Sequence, residues 1–96
     1  MFLFSRSDLK FLYNWKPIPN DDPRISGTPG TTLFNRNEGF EMLYLINTFA
    51  EKHGILEKDI CSQIEKSIKK ELPLNLRSQI HVIEWLDENM NRIVKE

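Results

Sequence analysis

The sequence predicts an all-α protein: a three-helix domain preceded by an extended aromatic N-terminal arm and a Pro/Gly-rich loop. Three observations lead to this prediction. Apolar residues recur at helical spacing in three segments after residue 34. Four of the five prolines lie between residues 16 and 32, where they oppose regular structure. Aromatic residues alternate near the N-terminus, but no second strand-like segment follows that could pair with them.

Length and composition limit the size of the fold and the cellular compartment that we expect. The chain has 96 residues, 40% of them hydrophobic and 28% charged, which is ordinary for one globular domain. We therefore expect residues 1–34 (arm and loop) and residues 35–96 (three-helix domain) to fold as one unit. A single cysteine excludes an internal disulfide, and no apolar run is long enough to span a bilayer. These features favour a cytoplasmic protein with no membrane partner.

The arm contains five of the ten aromatic residues: Phe2, Phe4, Phe11, Tyr13 and Trp15. The last three alternate with Leu12 and Asn14, which is the period of an extended segment. Because no sheet is available to it, we expect an extended arm or a short helical turn that docks on the helices. Its aromatic side chains then either fill the core or bind a partner or a second copy of the chain.

The loop, residues 16–32, combines prolines, glycines and charges. Asp21, Asp22 and Arg24 are the residues through which it could bind a ligand. The alternating carboxylates of a calcium loop are absent, and no glycine-rich phosphate cradle occurs. The sequence therefore predicts an ordered surface loop or a flexible linker, and leaves open whether it has a ligand.

Helix one is predicted over residues 35–54. Asn35 is a favourable N-cap, Glu38 three residues later completes a capping box, and Gly54 is a favourable C-terminal stop. Its apolar residues cover a broad arc at roughly 100° per residue, which is typical of a central helix contacted on several sides. A clean polar side is limited to three residues: Glu41, Thr48 and Lys52.

Helix two is predicted over residues 57–71. A narrow apolar stripe contains Ile60, Ile64 and Ile68, with Cys61 beside them. Charged residues cover the opposite side, and Pro73 ends the helix. On this stripe, Cys61 is interpreted as a small buried hydrophobic residue and not as a reactive thiol.

Helix three is predicted over residues 76–94. Its core stripe consists of Leu76, Ile80, Ile83, Leu86, Met90, Ile93 and Val94. Trp85 lies off this stripe among polar neighbours. Either the N-terminal arm folds over Trp85, or this side chain faces a partner or a second copy of the chain.

No catalytic or metal-binding pattern is present, so we expect a non-enzymatic protein without a cofactor. The two histidines, His53 and His81, lie in different helices, and neither has a Cys, Asp or Glu at metal-ligand spacing. His53, at the end of helix one, is more consistent with a hydrogen-bonded, partly buried role. No acid–base pair or nucleophile can be named.

One pattern favours an alternative function. Ala50, Gly54 and Ile60 have the spacing of the small residue, turn glycine and apolar anchor in helix-turn-helix DNA-binding units. Helix two, residues 57–71, would then be the recognition helix. It would present four polar residues to DNA: Ser62, Gln63, Lys66 and Lys69. Glu65 and the net charge of −1 oppose this alternative.

The sequence therefore favours a small protein–protein interaction or regulatory module, bacterial or phage-like in character. The surplus aromatic residues are the main ground for this hypothesis. Partner binding is assigned to Phe11, Tyr13, Trp15 and Trp85. A homodimer would bury the same surface and is the first expectation for the partner.

Overall fold

The computed structural model describes residues 4–27 and 29–94, without the side chain of residue 94. The expectations for Phe2 and for the Val94 side chain lie outside this part of the chain. Four helices are present there: α1 (Gly39–His53), α2 (Lys58–Lys70), α3 (Gln79–Glu88) and α4 (Met90–Val94). No strand occurs among the described residues, so the prediction of an all-α three-helix protein is confirmed, with α4 as a short addition.

The two ends of α1 differ in how well the sequence predicts them. The helix ends at Gly54, whose φ of 65° is left-handed, as expected for a glycine stop. It begins at Gly39, so the prediction of Asn35 as N-cap with Glu38 in a capping box is wrong. The Asn35 side chain instead accepts the backbone N–H of Asn37 at 2.9 Å and closes a turn before the helix.

The faces of α1 explain its central position. Five of its apolar residues are buried almost completely: Met42, Leu45, Ile46, Phe49 and Ala50. Glu41 and Asn47 are buried with them, so the expectation of Glu41 on the polar side is wrong. The Glu41 carboxylate accepts the backbone N–H of Asn35 at 3.0 Å, which provides a partner inside the protein. The helix contacts α2, α3 and the arm, and therefore lies at the centre of the fold.

The predicted limits of helix two are correct to within one residue at each end. Cys61, Ile64 and Ile68 are fully buried, which confirms the interpretation of Cys61 as a core residue. Burial raises the pKa of the Cys61 thiol, because the thiolate would lose its hydration. Glu65, between the apolar positions, is fully buried as well.

The prediction of one continuous helix over residues 76–94 is wrong at its start and in its middle. The first helical residue is Gln79, because Ser78 occupies the N-cap and accepts the His81 backbone N–H. At Asn89 the helix is interrupted, and the Asn89 side chain donates a hydrogen bond to the Trp85 carbonyl at 2.8 Å. Such local side-chain bonds compete with the helical pattern, and α4 continues from there to pack on α2.

The arm and the Pro/Gly loop lie against this helical core. The arm is extended apart from a single 3-10 turn, Arg6–Asp8. The loop is held by Gln79, whose side-chain amide donates to the carbonyls of Pro23 and Arg24 and accepts the N–H of Gly30. Among the described residues, no helix has the length and apolar character needed to cross a membrane.

Candidate functional site

A buried carboxylate fixes the conformation of the arm. Glu65 of α2 accepts the backbone N–H of Lys10 at 3.0 and 3.1 Å and that of Phe11 at 3.2 Å. It also accepts the Tyr13 hydroxyl at 2.5 Å. Burying a charged group is costly unless hydrogen bonds replace its water. Four contacts from one short segment provide that replacement, so the arm and Glu65 stabilise each other.

Two arm aromatics pack beyond this anchor, at the N-terminal end of α1. The Tyr13 and Trp15 rings form an edge-on pair at 6.2 Å, and Trp15 forms a second with Phe40 at 5.1 Å. Trp15 also covers Gly39, where a Cβ atom would lie 2.5 Å from a ring carbon. On its other side the Arg6 guanidinium lies 4.2 Å from the ring centroid. Trp15 is therefore held on several sides.

Among residues 5–16 the exposed side chains are polar, except that of Leu12. Leu12 is 96% exposed, although the residues before and after it are held by Glu65. An open groove of about 530 Å³ also lies on the arm and is lined by other residues of the segment 5–15. We call this region the arm surface; it comprises Leu12 and the groove residues Ser5, Arg6, Ser7, Leu9, Phe11 and Trp15. The most exposed apolar side chain of the chain's described part thus stands on a fixed backbone.

The structure brings together some of the residues predicted to bind a partner. Phe11 and Trp15 line the same groove, and Tyr13 contacts Trp15 while its hydroxyl binds Glu65. Trp85 lies on α3, half-buried against the core. In the described part of the chain it makes no ring contact with these aromatics.

The residues of the DNA-binding alternative differ in how accessible they are. The Lys69 ammonium donates to the carbonyl of Arg36 and to the side chain of Asn37, both at 3.2 Å. It also lies 4.8 Å from the centre of the Tyr13 ring. Burial and the nearby Arg36 charge lower the pKa of Lys69. Ser62 and Gln63 are partly buried, which leaves Lys66 as the one exposed residue of the four.

A second groove, which the sequence does not predict, lies where the end of the loop meets the α2–α3 connection. Its volume is about 500 Å³. We call it the arginine groove; its lining comprises Arg24, Leu33, Phe34, Asn35, Arg36, Asn37, Glu41, Leu74, Leu76 and Arg77. These residues come from separate segments of the chain, so no local sequence signal reveals them.

Contacts between ionisable side chains also join the surface of α1 to that of α3. Asp87 of α3 pairs with Lys52 at 2.9 Å and with His53 at 2.6 Å. Burial opposes ionisation of Asp87, but the hydrogen bonds and charges of Lys52 and His53 together outweigh it and lower the pKa of Asp87. Across residues 4–27 and 29–94, no three His, Cys, Asp or Glu side chains are placed to hold a metal ion.

Comparison with family models, with curated proteins and with solved structures gave no match for this chain.

Proposed function

We propose that this chain is a non-enzymatic protein–protein interaction module of the cytoplasm, and that a partner binds its arm surface. The observation that supports this proposal is the 96% exposure of Leu12 on an arm whose backbone is bound to buried Glu65. A leucine held in water forgoes about 1.5–3 kcal/mol that burial would contribute. A partner that covers Leu12 recovers this free energy.

The fixed backbone strengthens the argument. Binding is opposed by the entropy lost when flexible groups are ordered, and a segment that is already ordered loses less. The arm surface also has the composition of interface centres, where aromatic and arginine side chains contribute most of the binding energy. Trp15 and Arg6 provide this pair in the groove of the arm.

A second copy of the chain is the first partner to test. In a two-fold dimer the same patch serves both copies, so Leu12 of each copy would lie against the arm surface of the other. We expect the average mass in light scattering to rise with concentration. We expect Leu12→Asp to abolish that rise, because it would bury an unpaired carboxylate.

Leu56→Asp is the matched control, since Leu56 is 77% exposed in the connection between α1 and α2. It should leave self-association unchanged. If the partner is a different protein, a photo-reactive residue at position 12 should cross-link to it more strongly than one at position 56. The proposal fails if the chain stays monomeric and position 12 cross-links no more than position 56.

The same samples test the DNA-binding alternative. If helix two binds DNA, the chain should retain random duplex at low salt and lose it as salt rises. Lys66→Glu should then abolish retention, whereas Leu12→Asp should not. That pattern would replace the interaction proposal with the DNA-binding one.

A further inference from the structure

The arginine groove concentrates positive charge in a chain whose net charge is −1. Three of the five arginines line it: Arg24, Arg36 and Arg77. Arg24 is neutralised, because its guanidinium forms two bonds to Asp22 at 2.9 and 3.0 Å. The charges of the other two arginines therefore decide the character of the groove.

Arg36 is held by carbonyl groups and not by a carboxylate. Its Nη1 donates to the carbonyls of Ile68 and Leu72 at 2.9 and 3.0 Å, and its Nη2 donates to Pro73 at 3.3 Å. These bonds close the C-terminal end of α2, where a cation is favourable. A guanidinium has five N–H donors, so two remain after these three bonds. Burial lowers the pKa of Arg36, because part of its guanidinium is removed from water.

Neither Arg36 nor Arg77 forms an ion pair with any residue that the structure describes. The one carboxylate in the lining, Glu41, is buried and accepts the N–H of Asn35. The Lys69 ammonium lies nearby, bonded to the Arg36 carbonyl, and repulsion from Arg36 contributes to its lowered pKa. The groove thus has uncompensated positive charge, which an anionic ligand would offset.

Apolar groups flank these charges. Leu33 is 66% exposed and Leu74 is 83% exposed, and both line the groove. Phe34 and Leu76 lie beside them as partly or fully buried lining residues. A ligand that fits must therefore combine carboxylates with apolar side chains. A small inorganic anion would leave both leucines in water.

We propose that the arginine groove binds a short acidic peptide segment of a partner protein. Its carboxylates pair with Arg77 and with the unused N–H donors of Arg36, and its apolar side chains cover Leu33 and Leu74. The volume of about 500 Å³ suits a few residues of extended chain, because ligand pockets span about 300–1,000 Å³. This site is separate from the arm surface, and its occupation does not depend on self-association.

The test uses the full-length chain and a peptide of the sequence Glu-Leu-Glu-Leu-Glu, with fluorescein on its N-terminus and an amide at its C-terminus. We expect saturable binding in fluorescence anisotropy. Arg77→Gln should weaken it about tenfold or more, because charged interface pairs contribute strongly when they are desolvated. Leu74→Asp should weaken it as well. Arg77 is chosen over Arg36 because the side chain of Arg36 also closes α2.

Arg92→Gln is the matched control, since Arg92 is an exposed arginine on α4 that pairs with Glu71. It should leave the peptide affinity unchanged, as should Leu12→Asp. The peptide Gln-Leu-Gln-Leu-Gln, labelled in the same way, should bind at least about tenfold more weakly, because it lacks the three side-chain carboxylates. Citrate serves as the probe for a small-anion site.

Three outcomes would overturn the proposal. The first is that the peptide does not bind. The second is that it binds Arg77→Gln and the native chain with equal affinity. The third is that replacing its leucines by alanine leaves the affinity unchanged while citrate competes fully. The last result would assign the groove to small anions. Failure here would leave the arm surface proposal intact, because the Leu12→Asp experiment measures a different surface.

Discussion

At the scale of single residues, buried polar side chains of the helices bind the non-helical part of the chain. Four of them each bond to the segment that precedes α1: Glu41 to Asn35, Asn47 to Phe4, Glu65 to Lys10 and Phe11, and Gln79 to residues of the loop. In each case a backbone group without a partner in a helix forms a hydrogen bond with a side chain. These residues are polar because the arm and loop need partners.

Glu65 provides the strongest test of this role. Glu65→Gln removes one acceptor oxygen and turns an N–H group toward the backbone donors of Lys10 and Phe11. We expect the free energy of unfolding in urea to fall by about 2–4 kcal/mol, since partly buried backbone donors lose their charged acceptor. Glu84→Gln, on the exposed face of α3, should change it by less than about 0.5 kcal/mol. Equal stability of the two variants would contradict the anchoring role.

Tyr13 predicts a pH dependence at the alkaline end. Burial, followed by the hydrogen bond to Glu65, raises the pKa of Tyr13 above its ordinary value of 10.0. The folded chain therefore keeps the phenol proton when the unfolded chain has lost it. The stability contributed by Tyr13 is complete below pH 10 and declines as the pH rises above 10.

The comparison of the native chain with Tyr13→Phe isolates this effect. The difference in unfolding free energy between the two should be constant between pH 7 and 9 and should shrink above pH 10. Chemical denaturation at a series of pH values measures it. A difference that stays constant up to pH 11 would show that Tyr13 ionises equally in the folded and unfolded chain.

At the scale of elements, the start of α1 depends on the arm. Helix propensity favours alanine over glycine by about 1 kcal/mol, so Gly39→Ala would stabilise an isolated helix. Here the added Cβ would meet the Trp15 ring at 2.5 Å, and either the ring or the helix must move. We expect Gly39→Ala to destabilise the chain by about 1–3 kcal/mol.

A double-mutant cycle separates these two effects. In a Trp15→Ala background the ring is absent, and Gly39→Ala should stabilise the chain by about 0.5–1 kcal/mol. Thermal or urea unfolding of the four chains provides the measurement. Additive effects of the two substitutions would mean that Trp15 does not lie on Gly39.

Helix ends also show what the sequence can predict. Gly54 is identified correctly, because a left-handed terminus requires a residue without Cβ and glycine is rare here. Asn35 misleads, since such a side chain can close either a helix or a turn, and here it closes a turn at Asn37. The break at Asn89 has the same origin. A short polar side chain that binds the backbone is locally ambiguous.

At the scale of the whole molecule, periodicity predicts the three helices and their apolar stripes, because each helix needs one buried face. Periodicity cannot predict the burial of Glu65. Because this residue is charged and has lysines around it in the sequence, the pattern indicates a solvated face. That residue is buried by a segment more than fifty positions away. Separation in sequence also hides the arginine groove, whose leucines and arginines come from the segment before α1 and from the α2–α3 connection.

The arm is the part on which the functional account depends. If it is fixed, Leu12 and its neighbours form a pre-ordered surface; if it moves freely, the aromatic residues have no defined arrangement. The amide groups of Lys10 and Phe11 report this directly, because each donates to Glu65. Exchange of a hydrogen-bonded amide requires that the bond open first.

Amide hydrogen exchange of the native chain, followed by NMR at Lys10 and Phe11, is therefore the central measurement. We predict exchange that is slower than in an unstructured peptide by about a hundredfold or more, and a loss of that protection in Glu65→Gln. Exchange of both amides at the rate of an unstructured peptide would show that the arm is detached, and would contradict the account.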